Sequence, residues 1–319
     1  MTRRPKSGRR RPPKQHAGER LHGRVLGRVG PVFLVETTTT SQTTCIARGA
    51  GKTAVVGDRV EYIADIDAEL ANGLIVGVLN RKSTLARRDA LGRKKQVLAA
   101  NLDRIFIVSA IEPELREGLI DRYLVASETQ DIEAHIVVNK TDLLTAAELD
   151  AITLRLRHYD ALGYPVHYVS AKSNSGLTAL ETALADCVSI LVGHSGVGKT
   201  SLINSICPGV SERVQAVSDA TGRGQHTTTT SALYKLPKGG EVVDSPGVRS
   251  FGLWGITANE VKNYFPEFVE KSDGCKFADC QHIHEPKCAI RAALEEQTID
   301  AKRYQSYLNI RQSLLDEGA

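Results

Sequence analysis

Gly193-His194-Ser195-Gly196-Val197-Gly198-Lys199-Thr200-Ser201 decides the fold. It satisfies G-x-x-x-x-G-K-[ST], follows the apolar run Ser189-Ile-Leu-Val192 and precedes an apolar helical stretch. Glycines at these positions let backbone N–H groups wrap phosphates at a helix N-terminus. Lys199 is then placed for the β- and γ-phosphates, and the Thr200 hydroxyl for Mg²⁺. The loop alone does not choose between ATP and GTP.

Working outward, Asn139-Lys140-Thr141-Asp142 makes that choice. A carboxylate at Asp142 accepts from both N1–H and N2–H of guanine, a donor pair that adenine lacks on that edge. Asn139 suits the other edge of the base, and the Lys140 stem can lie over the ring. Ser170-Ala171-Lys172 follows another apolar run and supplies a backbone N–H for the guanine O6. Asp244-Ser-Pro-Gly247 supplies an acid that supports Mg²⁺ and a glycine whose N–H can sense the γ-phosphate. Between them, Gly222-Arg-Gly-Gln-His-Thr-Thr-Thr-Thr230 is where a switch threonine is expected, with Thr228 and Thr229 as the candidates.

Around these motifs the chain alternates strands and helices from Arg104 onwards, which implies a parallel sheet covered on both faces. Strands are expected at 104–109, 131–138, 165–169, 189–192 and 241–243. Thr145-Ala-Ala-Glu148 is a capping box opening a helix, with Gly163 beyond its end. Leu177, Leu180 and Leu184 mark the apolar face of the next helix. Upstream, residues 21–84 read as short strands (23–35, 44–47, 55–63 and 73–79) punctuated by Gly30, Gly49, Gly51 and Gly57. A small OB-fold β-barrel is the first choice. With only Phe33 and Tyr62 aromatic there, shape and phosphate contacts to folded RNA suit it better than base stacking.

Charge is unevenly placed. The net charge is +4, yet residues 1–20 hold eight basic residues against Glu19 alone, so the remainder is slightly acidic. Residues 1–18 add three prolines and almost nothing apolar, and are expected to be a disordered arm suited to a polyanion. Residues 81–95, with seven basic residues and Asp89 the only acid, read as a basic connector or a solvated linker.

The guanine motifs at 139–142 and 170–172 precede the phosphate motifs at 193–247, the reverse of the ordinary order. Such a circular permutation preserves the fold when domain termini lie close together. On these motifs the chain resembles the circularly permuted GTPases that act in assembly of the bacterial small ribosomal subunit, the RsgA or YjeQ family. The resemblance runs from about Leu21 to the C-terminus. It implies a multidomain chain: a basic tail at 1–18, an OB-fold RNA-binding domain at 19–84, a circularly permuted α/β P-loop GTPase domain at 85–255, and a mostly helical zinc-binding domain at 256–319. It further implies GTP hydrolysis stimulated by the small subunit and its rRNA, late in maturation of that subunit. A non-enzymatic RNA-binding scaffold with a structural guanine nucleotide is the alternative. A metabolic P-loop kinase is disfavoured, since N-K-x-D serves no phosphate acceptor.

Cys275, Cys280, His282 and Cys288 lie within fourteen residues, a Cys3His set of the closed tetrahedral kind. Spacing leaves His284 as a competitor for His282; the resemblance implies Cys275, Cys280, His282 and Cys288, holding one structural Zn²⁺. Tyr304, Tyr307, Leu308, Leu314 and Leu315 give an amphipathic C-terminal helix, expected to pack on its own domain. For hydrolysis, the position after Gly247, where other GTPases place a water-orienting glutamine, is Val248. His226 is the expected catalytic group, with His194 and Arg223 as rivals. No apolar run reaches the roughly 20 residues of a membrane span, and no secretory signal is apparent, so a cytoplasmic protein is expected. A monomer is the expected state.

Overall fold

Short alternating runs broken by turns fold into five strands: β1 (Arg20–Val29), β2 (Val32–Thr37), β3 (Gln42–Ala47), β4 (Arg59–Ala64) and β5 (Gly73–Val78). The computed structural model describes residues 18–38, 41–64, 71–89, 94–209, 231–244 and 252–318. Neighbours run β1-β2-β3-β5-β4, and β4 pairs back onto β1, which closes the barrel. Within the described barrel, β3 and β5 pair in parallel and the other neighbours antiparallel. The expected single strand 23–35 is a hairpin turned at Gly30. Val25, Phe33, Val35, Cys45, Val60 and Ile75 point inward and form the barrel core.

The described parts of the basic stretch, 81–89 and 94–95, are not a loose linker. Their residues join β6 (Thr84–Arg88) and β7 (Lys95–Ala100) in a separate antiparallel hairpin. Leu85 and Ala99 are buried on its inner face, which offsets the cost of ordering the charged face. Arg81 pairs with buried Asp58 at 2.7 Å. The hairpin carries the barrel: Ala100 N–H donates to Val56 O, and Asn101 Nδ2 donates to Gly57 O.

The second sheet uses β8 (Arg104–Ala110), β9 (Glu133–Asn139), β10 (Val166–Tyr168), β11 (Val188–Val192), β12 (Ser231–Lys235) and β13 (Glu241–Asp244). Their order is β10-β9-β8-β11-β13-β12, parallel except for β12 against β13. Helices α1 (Glu117–Glu128), α2 (Ala146–Ala161), α3 (Leu177–Leu184) and α4 (Lys199–Ile206) complete the crossovers. The Thr145–Glu148 capping box opens α2 as expected. The chain leaves β8 toward β9 and β11 toward β13, so strand order reverses between β8 and β11. Ligands of such sheets bind at the carboxyl ends of the strands around that point. Barrel and sheet are continuous, because β1 pairs antiparallel with β12 at Gly27 and Arg28. Arg24–Glu241 at 2.5 Å and Lys235–Glu36 at 2.7 Å flank the joint.

Beyond the sheet lie α5 (Pro266–Lys271), α6 (Ala289–Glu295) and α7 (Ala301–Gly318). Tyr307, Ile310 and Leu314 are buried, while Leu315 stays 43% exposed. Contrary to expectation, α7 does not pack on its own domain alone but also lies along α1. The reason is a buried charge network: Arg303, 1% exposed, reaches Asp121 of α1 at 2.8 Å and Glu267 of α5 at 2.8 Å. Tyr159 of α2 donates to Asp121 at 2.7 Å, and the Arg303 guanidinium lies 4.5 Å from the Phe265 ring centroid. Among the described residues no helix is long and apolar enough to cross a membrane.

Candidate functional site

The phosphate loop leaves β11 at Val192 and enters α4 at Lys199. Gly193 and Gly198 have φ of +145° and +90°, where side chains are strained. A Cβ on Gly193 would fall 2.1 Å from Val108 O, and one on Gly198 2.4 Å from Asn139 Nδ2, so both glycines are sterically required. Lys199 is 7% exposed and donates to Gly193 O and His194 O, both at 3.0 Å, which holds its ammonium over the loop. Burial lowers the Lys199 pKa, with Asp244 pulling in the opposite direction. Asp244 closes β13, and its carboxyl is raised by burial against the pull of Lys199. Thr200 and Ser201 are exposed in the first turn of α4, Ser195 and Gly196 are exposed on the loop, and Val197 packs inward.

Asn139, 1% exposed at the end of β9, ties three motifs together. Its Nδ2 donates to Val197 O at 2.9 Å, and its Oδ1 accepts from the Ala171 N–H at 3.2 Å. Lys140 takes a left-handed φ of +64° and donates from Nζ to Glu112 O. A turn at Thr141–Leu143 carries Asp142, whose Oδ1 accepts from Ser170 Oγ at 2.6 Å. Lys172 Nζ lies 3.9 Å from Asp142 Oδ2. Thus segments 139–142, 170–172 and 193–201, read in permuted order, converge at the carboxyl ends of β9, β10 and β11. His194 Nδ1 sits 2.6 Å from Ser195 O, tied to its own loop. His226, Thr228, Thr229 and Gly247, with Arg223 and Val248, lie outside the described residues.

A second cluster gathers Cys275, Cys280, His282 and Cys288, with all ligand atoms within 4.8 Å of one another. His282 Nδ1 stands 3.6 Å from Cys275 Sγ and 3.4 Å from Cys288 Sγ, and the two sulfurs are 4.0 Å apart. Metal–sulfur bonds of about 2.3 Å at tetrahedral angles give edges of about 3.8 Å, so the set fits a four-coordinate metal. His282 is buried among the sulfurs, whereas His284 is exposed, which separates the two histidines. Its left-handed φ of +60° turns the ring inward. The Ala289 N–H donates to Cys275 Sγ at 3.4 Å. Tyr304 Oη donates to His282 O and Tyr307 Oη to Gln281 O, so α7 braces the metal loop.

Sequence reasoning missed Arg303 and its partners, and the bracing roles of Tyr304 and Tyr307. Their apolar-stripe spacing was visible; their hydrogen-bonding ends were the unused signal.

A sequence-family profile described as "RsgA GTPase" matches residues 78–254. The "Small ribosomal subunit biogenesis GTPase RsgA" of Klebsiella pneumoniae is 44% identical over 303 residues, covering 93% of this chain and 85% of that protein. The protein of the same name from Shewanella oneidensis is 42% identical over 301 residues, covering 93% and 84%. The crystal structure of YjeQ from Thermotoga maritima matches with a TM-score of 0.73 at 33% identity, covering 93% of this chain and 99% of that one. YloQ, described as a circularly permuted GTPase, matches at 0.69 and 28% identity, covering 95% and 97%. Motif order, sheet topology and these relatives agree: the chain belongs to the RsgA family of circularly permuted GTPases.

Proposed function

We propose that this GTPase acts on the small ribosomal subunit in a late step of its maturation, with hydrolysis stimulated by the subunit. Asp142 reads N1–H and N2–H of guanine, Asn139 bonds the opposite edge, the Lys140 stem covers the ring, and the 170–172 segment offers a backbone N–H to O6. The 193–198 loop and Lys199 hold the phosphates, with Thr200, Ser201 and Asp244 beside them. Bound Mg²⁺ would neutralise charge on the β- and γ-phosphates, and Thr200, Asp244 and Thr228 or Thr229 are the residues to hold it. Gly247 senses the γ-phosphate and His226 orients the attacking water, a task Val248 cannot perform. The observation that carries the nucleotide reading is the Asn139 side chain, which hydrogen-bonds the phosphate loop and the 170–172 segment at once.

The barrel (19–84) and the basic tail (1–18) contact rRNA of the subunit, the 85–255 domain turns over GTP, and 256–319 is held by one structural Zn²⁺. Four protein ligands leave that metal no open position, so it serves stability and not hydrolysis. The protein works in the cytoplasm as a monomer. Single-turnover GTP hydrolysis with and without purified small subunits tests the reading. Subunits should accelerate the wild type. His226→Ala should keep nucleotide affinity and lose roughly 10²-fold or more of the stimulated rate, whereas His194→Ala loses far less. Unstimulated hydrolysis would reject the partner, and a near-normal His226→Ala rate would reject that residue.

A further inference from the structure

Gly193, the first residue of the phosphate loop, is held by several parts of the molecule. Its carbonyl accepts from Lys199 Nζ at 3.0 Å. Its Cα faces Val108 O of β8 and leaves no room for a Cβ between them. Beside it stands Tyr123 of α1, a fully buried tyrosine outside the set that contacts base and phosphates. Tyr123 lines the same cavity of about 20 Å³ as Gly193, His194 and Val197. Burial pushes its phenol up to about 12, while the Arg87 charge and the Gly193 backbone N–H pull the other way. A backbone N–H lowers the pKa of a phenol by donating to its oxygen, which favours the charged form. Both backbone polar groups of Gly193 are therefore engaged, the N–H by Tyr123 Oη and the carbonyl by Lys199.

Tyr123 does not stand on a loose helix. The two residues before it tie α1 to α7: Asp121 meets Arg303 at 2.8 Å, and Arg122 Nη2 donates to Ser313 at 2.7 Å. Asp121 also accepts from Tyr159 of α2 at 2.7 Å. Helix α1 is thus fixed from outside the nucleotide site, and Tyr123 brings that fixed point to the entry of the loop. Lys199 is aimed from the carbonyl of the residue so held.

We propose that Tyr123 is a positioning residue for phosphate binding: it holds Gly193, and through the Gly193 carbonyl the Lys199 ammonium, in place at the carboxyl end of β11. The inference rests on the reading of 193–201 as the phosphate loop. A preorganised site spends less on ordering when its ligand arrives, so a loosened loop entry lowers nucleotide affinity while the base-recognising residues stay intact.

The test is a double-mutant cycle in the full chain. Wild type, Tyr123→Phe, Lys199→Ala and the double variant are each titrated with a fluorescent GDP, and thermal unfolding is recorded alongside. Tyr123→Phe keeps the ring and removes only the oxygen. It should weaken GDP binding about fivefold, the scale of one lost hydrogen bond. In the Lys199→Ala background the same change should cost less than about twofold, because Tyr123 acts through the lysine. A second readout uses the unsubstituted sequence labelled with 3-fluorotyrosine. The fluorine resonance that disappears in Tyr123→Phe should shift when GDP is added. Unchanged GDP affinity in Tyr123→Phe, with or without a lower unfolding midpoint, marks a tyrosine that only packs and overturns the proposal. An equal loss in both backgrounds overturns it too, as does a resonance that ignores GDP. GDP affinity untouched by Lys199→Ala would instead sink the reading of the loop.

Discussion

Replacing Arg303 with methionine keeps much of the side-chain volume and removes the cation that bridges Asp121 and Glu267. Asp121 is fully buried and Glu267 nearly so, hence neither carboxylate can turn to water. Removing one partner of such a buried network costs about 3–5 kcal/mol, because the remaining charge stays desolvated. At about 2–4 °C per kcal/mol, the midpoint of thermal unfolding should fall by roughly 6–20 °C at pH 7.5. The pH dependence has a definite sign. Burial already raises the Asp121 pKa, with Arg303, Ser306 and Tyr159 opposing it. Without Arg303 the folded-state pKa rises further above the unfolded value. A group shifted upward contributes stability at low pH that is lost as pH rises through its folded pKa. The Arg303→Met penalty should therefore be largest at pH 7.5 and shrink toward pH 5, and adding Glu267→Gln should recover part of it. The assay is calorimetry of both proteins across that pH range. A midpoint within about 2 °C of wild type at pH 7.5, or a penalty independent of pH, would refute the reasoning.

Two further outcomes are expected. Asp142→Asn should lose affinity for GTP and gain affinity for xanthosine triphosphate, since the hydrogen-bond polarity toward the base reverses; titration of both nucleotides decides it, and unchanged GTP binding would remove Asp142 from base recognition. Natively purified protein should contain one zinc per chain by elemental analysis, and Cys280→Ala should lose it and loosen residues 256–319 while nucleotide binding largely survives; a zinc-free native protein would refute the site.

The three segments that converge at the carboxyl ends of β9, β10 and β11 were legible in the sequence because backbone geometry dictates their residues. Gly193 and Gly198 have no substitutes where their Cβ atoms would strike Val108 O and Asn139 Nδ2. The capping box at Thr145 and the apolar spacing of Leu177, Leu180 and Leu184 are likewise local and direct. The hairpin of β6 and β7 was not legible, since its run of arginines and lysines hides the inward Leu85 and Ala99. Helix α1 was missed for a related reason: its buried face includes Glu117 and Asp121, which break the apolar stripe and are compensated by Arg155, Lys302 and Arg303 from other elements. Spacing could not separate His282 from His284, because the choice depends on a left-handed backbone at residue 282.

The pairing of β1 with β12 bears on how the chain can be dissected. Strand β12 is the last of the nucleotide sheet, and among the described residues its far side is hydrogen-bonded to the barrel strand β1 alone. A shortened protein starting after β5 would leave that flank bare, and an unprotected edge strand recruits other chains. Such a fragment would be prone to self-associate for reasons unrelated to RNA. Loss of activity on truncation would then report an uncovered edge as much as a missing recognition module. Point substitutions on the barrel's outer face, which leave Gly27 and Arg28 in place, separate the two effects.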